Sequence, residues 1–186
     1  MILTLTAASG VGKSTFLKTL PQYTSRKVLP LTSTTTRRPR GDELPGEYEH
    51  VSMNSFQKSL LLDRFLRVFE AYGNRYAHTR ARVTEALTSE NLYVPILVLP
   101  AVTLFVAHAE VIGERKHIHS VFLDLKDEGE RRRRLENRSD KTPKRWMPEL
   151  AEWRKMAEHS GVPFLYLDAS DPPEVLAKKT AEYFAL

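Results

Sequence analysis

The chain has no cysteine among its 186 residues. That absence excludes a disulfide framework, a thiolate zinc site and a cysteine nucleophile together. It also lacks any apolar run near the roughly 18 residues that a membrane-spanning helix needs. No basic leader precedes the opening Met1-Ile2-Leu3-Thr4-Leu5-Thr6, which enters β-rich sequence at once. A secretion signal is therefore not read, and cytoplasmic residence is the expectation. Neither an internal repeat nor a low-complexity linker interrupts the sequence. Hydrophobic residues at 41% and charged residues at 27% exclude a disordered tail, and the length suits one domain with a full core.

What is present leans basic: 28 Lys+Arg against 23 Asp+Glu give a formal charge of +5. The surplus is mostly arginine, gathered at 37–40, 131–134 and 138–145. Guanidinium forks suit phosphate, so the partner is expected to be anionic. Nucleic acid, a nucleotide and a sugar phosphate all satisfy that requirement. A nucleic-acid binder would carry a long basic stripe with interleaved aromatics, and the clustering here argues against one.

Strand and helix signals alternate along the chain. Ile2–Thr6 reads as a strand, followed by a helix to about Leu20 that Pro21 stops. Val28–Leu31 reads as a second strand, and Thr32–Gly46 has the Thr, Arg, Pro and Gly content of a loop. Asn54–Asp63 and Thr79–Ser89 have helical spacing, with Phe65–Phe69 between them as a strand and Tyr72-Gly73-Asn74 as a turn. Tyr93–Leu99 is a continuous apolar run, the mark of a strand covered on both faces, and Pro100 suits the first position of a helix. Ile118–Leu125 is a further core strand, followed by a charged helix over about Glu128–Asn137. Glu149–His159 is helical and Phe164–Leu167 a last strand. Asp171-Pro172-Pro173-Glu174 resembles a capping box opening the final helix. This alternation predicts an α/β fold built on a parallel sheet flanked by helices.

Between the first strand and helix lies Ala7-Ala8-Ser9-Gly10-Val11-Gly12-Lys13-Ser14-Thr15. It matches the pattern G-x-x-x-x-G-K-[ST] except at its first position, where Ala7 replaces glycine. Successive backbone N–H groups of such a loop wrap a nucleotide β-phosphate, and the helix N-terminus adds positive partial charge. Lys13 bridges the β- and γ-phosphates, and the Ser14 hydroxyl is the expected ligand of Mg²⁺. The strand–loop–helix context supports a P-loop for a nucleoside triphosphate, held by Ser9, Gly10, Val11, Gly12, Lys13, Ser14 and Thr15.

A second constellation follows: Ser33-Thr34-Thr35-Thr36-Arg37-Arg38-Pro39-Arg40, then Gly46-Glu47-Tyr48, then Phe65-Leu66-Arg67 and Gly73-Asn74-Arg75-Tyr76. Two arginines and two phenolic hydroxyls can donate several charge-assisted hydrogen bonds to one phosphate. With the P-loop, these segments resemble the guanylate kinase family in order and spacing over about 7–80, and more loosely beyond. The resemblance implies a P-loop kinase fold with a core at about 1–31, 81–126 and 155–186. An acceptor-binding insertion is implied at about 32–80 and a lid at about 127–154. It implies that Arg37, Arg40, Tyr48 and Tyr76 hold the acceptor's phosphate, and that Ser33 stands at a base-contacting serine. Arg134-Leu135-Glu136-Asn137-Arg138 resembles the family's lid helix, so Arg134 and Arg138, with Arg145 as a third, would reach the transferring phosphoryl group. By helical spacing Arg131 shares their face, whereas Arg132 and Arg133 are expected in water.

The base-reading positions depart from the family. Arg67 stands for the acidic residue of Phe-Leu-Glu, His78 for a small hydroxyl, and Ala77 for the glycine before it. Pro95-Ile96-Leu97-Val98 replaces Leu-Asp-Ile-Asp. An arginine donates and cannot accept, so it cannot face the N1–H and amino group of guanine as a carboxylate does. It could instead fork onto O6 and N7 of a guanine, a pyrimidine carbonyl or a second phosphate. Glu70 would restore an acceptor, but on a strand over 65–70 it points to the opposite face from Arg67.

These features predict ATP-dependent phosphoryl transfer, with Mg²⁺, to a phosphomonoester: most simply a nucleoside or deoxynucleoside monophosphate. Ribose 1,5-bisphosphate phosphokinases share the guanylate kinase fold, and a sugar phosphate of that kind is the alternative acceptor. Non-catalytic phospho-ligand modules on this scaffold generally lose the P-loop lysine, which Lys13 retains. The acceptor phosphate is its own nucleophile, since its second pKa is about 6, so no general base is required. The charge would come from Lys13, Arg37, Arg40, Arg134, Arg138, Arg145 and the metal. His117 and His119 alternate along an expected strand without a third ligand, so no metal site is expected there. Trp146 and Trp153 are two helical turns apart and read as packing.

Overall fold

Five β-prone residues at the start form β1 (Ile2–Thr6), every one of them buried. In this computed structural model the described residues are 1–39, 43, 45–71, 73–136 and 150–186. The P-loop segment leads into α1 (Lys13–Thr19), and β2 (Val28–Leu29) and β3 (Ser33–Thr35) follow. Next come β4 (Tyr48–His50), α2 (Met53–Leu61), β5 (Phe65–Ala71), β6 (Asn74–Thr79) and α3 (Arg80–Thr88). The remainder is β7 (Leu92–Tyr93), α4 (Leu99–Val111), β8 (Ile118–Asp124), α5 (Glu128–Glu136), α6 (Leu150–Glu158), β9 (Phe164–Asp168) and α7 (Pro173–Phe184).

The larger sheet has the order β2-β7-β1-β8-β9, and its pairings are parallel. Alternation along β1 serves two cores. Leu3 and Leu5 pack with Val121, Leu123, Phe16 of α1 and Leu176 of α7. Ile2 instead joins Ile118, Val83 and Leu87 of α3 and Val102 and Phe105 of α4. Helices therefore cover both faces, and the loop after β1 emerges at the carboxyl ends of the strands, where open α/β sheets bind ligands.

A second sheet, ordered β4-β3-β6-β5, is made from residues between β2 and α3. On one face Phe56 of α2 packs against Phe65 and Ala77. Leu66 of β5 packs with the α4 cluster, which joins this sheet to the rest.

Several sequence expectations need correction. Thr32–Gly46 is not loop throughout: Ser33–Thr35 forms β3, pairing with β4 and β6 through β-branched threonines. The first helix does end before Pro21, at Thr19 with Leu20 as its cap; what the sequence did not show is the 3₁₀ turn Leu20–Gln22 that follows, where the missing N–H of Pro21 costs nothing. The run Tyr93–Leu99 does not continue as one strand covered on both faces. Pro95 has no N–H for the ladder, only an isolated bridge joins Leu5 to Ile96, and Leu99 already belongs to α4. Ile96 and Val98 are exposed, at 47% and 42%. His117 sits in a 3₁₀ turn, bonded to Glu114 at 2.6 Å, while His119 stacks on Phe184, so the two do not share a strand face. The final helix is capped by Pro172 without a side-chain bond, and Asp171 accepts from Lys179 instead. Trp153 packs against Leu99, Phe122 and Ala157; Trp146 lies outside the described residues.

Candidate active site

The turn from β1 into α1 requires Gly10 and Gly12 for its backbone path, at φ +89° and +120°. Lys13 at the start of α1 folds back, its Nζ donating to the carbonyls of Ala7 and Ala8 at 2.8 Å each. The ammonium is thereby held at the mouth of the loop, beside first-turn amides that no preceding turn satisfies. Ser14 and Thr15 are exposed on the same turn.

Helix α5 lies directly over this loop. A Cβ built on Gly10 would stand 2.8 Å from Leu135 Cγ and 3.2 Å from Arg131 Cγ, so glycine is needed for space as well as for φ. Arg134 donates from Nη1 to the Val11 carbonyl at 3.0 Å, and from Nε to Glu130 at 2.9 Å. Arg131, on the same face, is buried and paired with Glu128 at 3.2 Å, whereas Arg132 and Arg133 are exposed. A cavity of about 320 Å³ opens beside the loop, lined by Gly12, Thr15, Arg134, Ala169 and Asp171 among others. Arg138 and Arg145 lie outside the described residues.

Strand register organises the second cluster. Ser33 pairs with Tyr48 and Thr35 with His50. Thr35 also pairs with Tyr76, Tyr76 with Phe69, and His78 with Arg67. Directly paired residues share a face and successive ones alternate. One face therefore gathers Ser33, Tyr48, Arg67, Tyr76 and His78, opposite the face that α2 covers. Glu70 is the exception. It pairs with Arg75 on the far face and forms an ion pair with it at 2.8 Å, so the structure does not place it with the other proposed acceptor contacts.

Arg37 enters from the end of β3, its backbone N–H donating to Thr35 Oγ1 at 3.1 Å. Its guanidinium lies 4.9 Å from the centre of the Tyr48 ring, and Tyr48 meets Tyr76 edge-on at 6.3 Å. Burial, with help from the Glu47 carboxylate, pushes the Tyr48 phenol up to about 12, so it keeps its proton and remains a donor. Arg40 lies outside the described residues.

Two carboxylates were not singled out by sequence reasoning. Glu43 forms an ion pair with Arg37 and accepts from His50 Nε2 at 2.7 Å. Glu47 accepts the Tyr48 hydroxyl. The signal that could have found them is acidic residues interleaved with a basic cluster. Each sits on a donor of the proposed phosphate clamp.

His78 is buried deeply enough that its pKa falls to about 4 from 6.5, with Arg82 adding to the effect and a bond to the Leu31 backbone opposing it. The unfolded imidazole therefore binds a proton before the folded one does. Stability contributed here is present above about pH 6.5 and is lost as pH falls toward 4. Between those limits the loss should reach roughly 3 kcal/mol. Urea unfolding of the wild type and His78→Gln from pH 7 to 4.5 checks it: the variant should show a shallower decline, and parallel curves would refute the linkage.

A family model described as guanylate kinase matches residues 1–171. The guanylate kinase of Myxococcus xanthus is 38% identical over 87 residues, 46% of this chain and 41% of that protein. The guanylate kinase of Chlamydia abortus is 28% identical over 138 residues, 74% of this chain and 64% of that protein. The aligned region thus spans about two fifths to two thirds of the length of these curated relatives. A crystal structure of guanylate kinase from Anaplasma phagocytophilum superposes with a TM-score of 0.63 at 19% identity, covering 100% of this chain and 84% of that one. The shared fold is the P-loop kinase fold, a parallel sheet flanked by helices.

Proposed function

This chain belongs to the guanylate kinase family, and on that premise we propose that it transfers the γ-phosphoryl group of ATP to the phosphate of a nucleoside monophosphate. The observation that carries this reading is the presence of two separate donor clusters, each suited to a phosphate. One is the loop with Lys13 and Arg134; the other is Arg37 with Tyr48 and Tyr76.

In the reaction, an oxygen of the acceptor phosphate attacks the γ-phosphorus in line with the departing β-phosphate oxygen. The attacking group carries most of two negative charges near neutral pH, since its second pKa is about 6, so it needs no base. What the site supplies is alignment and positive charge against the repulsion of two anions. Lys13 would neutralise the donor's terminal phosphates, and Arg134 would follow charge on the transferring group. Arg37, Tyr48 and Tyr76 would fix the acceptor, with Arg40 completing the clamp. Arg138 and Arg145 would add positive charge at the transferring group, as the family resemblance implies.

Among the described residues no group of three His, Asp or Glu could hold a metal ion. Mg²⁺ fits here in the manner it commonly uses, with a single protein ligand, the Ser14 hydroxyl on the first turn of α1, plus nucleotide oxygens and water. When bound, it would draw charge from the β- and γ-oxygens. No described helix is long and apolar enough to cross a membrane.

A coupled ADP-release assay across GMP, IMP, AMP, UMP, CMP, dTMP and ribose 1,5-bisphosphate tests the proposal. Turnover of at least one nucleoside monophosphate is expected. Turnover of the sugar bisphosphate alone, or of nothing, would overturn it.

A further inference from the structure

Helix α4 is apolar almost all round: His108 and Glu110 are its two ionisable residues, and it holds no lysine or arginine. Its inward half is accounted for, since Ala101, Val102, Phe105 and Ala109 lie in the core beneath it. The outward half is not. Pro100, Leu104, Ala107 and Val111 follow one another at steps of four, three and four, which aligns them in one stripe along the helix. All four are exposed, Leu104 at 41% and Val111 at 85%.

The chain's other helices show how its water-facing sides are built. Helix α5 turns Arg132 and Arg133 outward, α7 pairs Lys178 with Glu182, and α3 presents Glu85. A helix that is hydrophobic all round belongs in an interior, and among the described residues nothing covers this stripe.

Charge, shape and dipole together indicate what would cover it. With no cation on α4, an anionic lipid surface or an acidic protein finds nothing to attract it. Glu110, at the edge of the stripe, is already paired with Arg115 at 3.5 Å. In shape the stripe sets one small residue, Ala107, between two large ones, Leu104 and Val111. Laid antiparallel on a copy of itself, with a two-fold axis beside Ala107, it brings each Leu104 against the other copy's Val111. The two alanines then allow the helices to approach closely. Finally, α4 starts at Val98 without a side-chain cap or an acidic residue in its first turn. An antiparallel copy lays the negative end of its own helix beside that positive end.

We infer that two copies of this chain associate through α4, antiparallel about a two-fold axis beside Ala107. Helix α3 lies alongside, joined to α4 by the Thr84–His108 hydrogen bond at 2.9 Å, and widens the surface. Because α4 starts at the carboxyl ends of the strands, the axis sends the two P-loop clefts to opposite ends of the dimer and leaves both open. The contact is at the small end of stable interfaces, so the dimer is reversible, with a dissociation constant on the order of 10 μM.

Sedimentation equilibrium of the full chain from about 1 to 200 μM should pass from the 21.3 kDa monomer to twice that mass. Leu104→Glu and Val111→Lys should each keep the chain monomeric throughout, with unchanged circular dichroism. Combined in one chain they should restore association, because each glutamate then faces the other copy's lysine. Since the chain has no cysteine, Ala107→Cys supplies a single thiol, which should give a covalent dimer with diamide, whereas Glu182→Cys on α7 should not. A wild type that stays monomeric at the highest concentration overturns the inference, and does so equally if the chain then sediments with phosphatidylcholine vesicles or with another protein. A dimer that survives Leu104→Glu and leaves Ala107→Cys uncrosslinked overturns it as well, by placing the contact elsewhere. Should Leu104→Glu fail to fold, the Ala107→Cys crosslink decides.

Discussion

Lys13→Ala lowers kcat by about 10³-fold, because phosphoryl transfer depends almost wholly on preorganised positive charge around the moving group. The residue's present bonds to the Ala7 and Ala8 carbonyls show an ammonium positioned by the loop itself. Lys13→Arg should rescue little, since a planar fork does not reproduce a compact point charge in a cradle of backbone amides. Steady-state ADP release, with circular dichroism to show a retained fold, provides the measurement. A variant within about 10-fold of wild type would remove Lys13 from the chemistry.

Arg37→Ala is the second large effect. It should lower kcat/KM for the acceptor by about 10²-fold or more while leaving the KM for ATP near its original value. The asymmetry follows from where Arg37 lies, against Tyr48 and Tyr76 rather than against the nucleotide loop. Loss of the guanidinium does not strand Glu43, which keeps His50 as a partner at 2.7 Å. Arg37→Lys should recover only part of the loss, because lysine cannot form the paired bonds of a fork. An equal loss on the ATP side would instead indicate general damage to the fold.

The parts of the fold legible in the sequence were those with a strong local cause. The strand–glycine–lysine–helix sequence at the start needed nothing distant to specify it. The exposure of Arg132 and Arg133, away from the face that carries Arg131 and Arg134, followed from helical spacing alone. Prediction failed where tertiary pairing decided. Three residues, Ser33–Thr35, became a strand only because β4 and β6 flank them. The apolar run at 93–99 was read by hydrophobicity, when the missing N–H of Pro95 controlled the outcome. Within the site, alternation correctly separated Arg67 from Glu70. Nothing local could pair Glu43 with Arg37, since no helix or strand spacing relates the two residues. The burial of Arg131 was equally invisible, since it comes from α5 packing Arg131 and Leu135 against Gly10.

The carboxylates of Glu43 and Glu47 make arrival at the clamp an exchange rather than a simple addition. If the clamp takes a phosphate as proposed, that phosphate would have to displace one or both from Arg37 and Tyr48 before it is held. Chloride or bicarbonate, with a single diffuse charge, gains too little from that swap, whereas a phosphomonoester dianion offers several lone pairs to the same donors. On the proposed reading, the pair would act as an ionic filter that favours a guest able to replace two carboxylates at once over a simple monovalent anion.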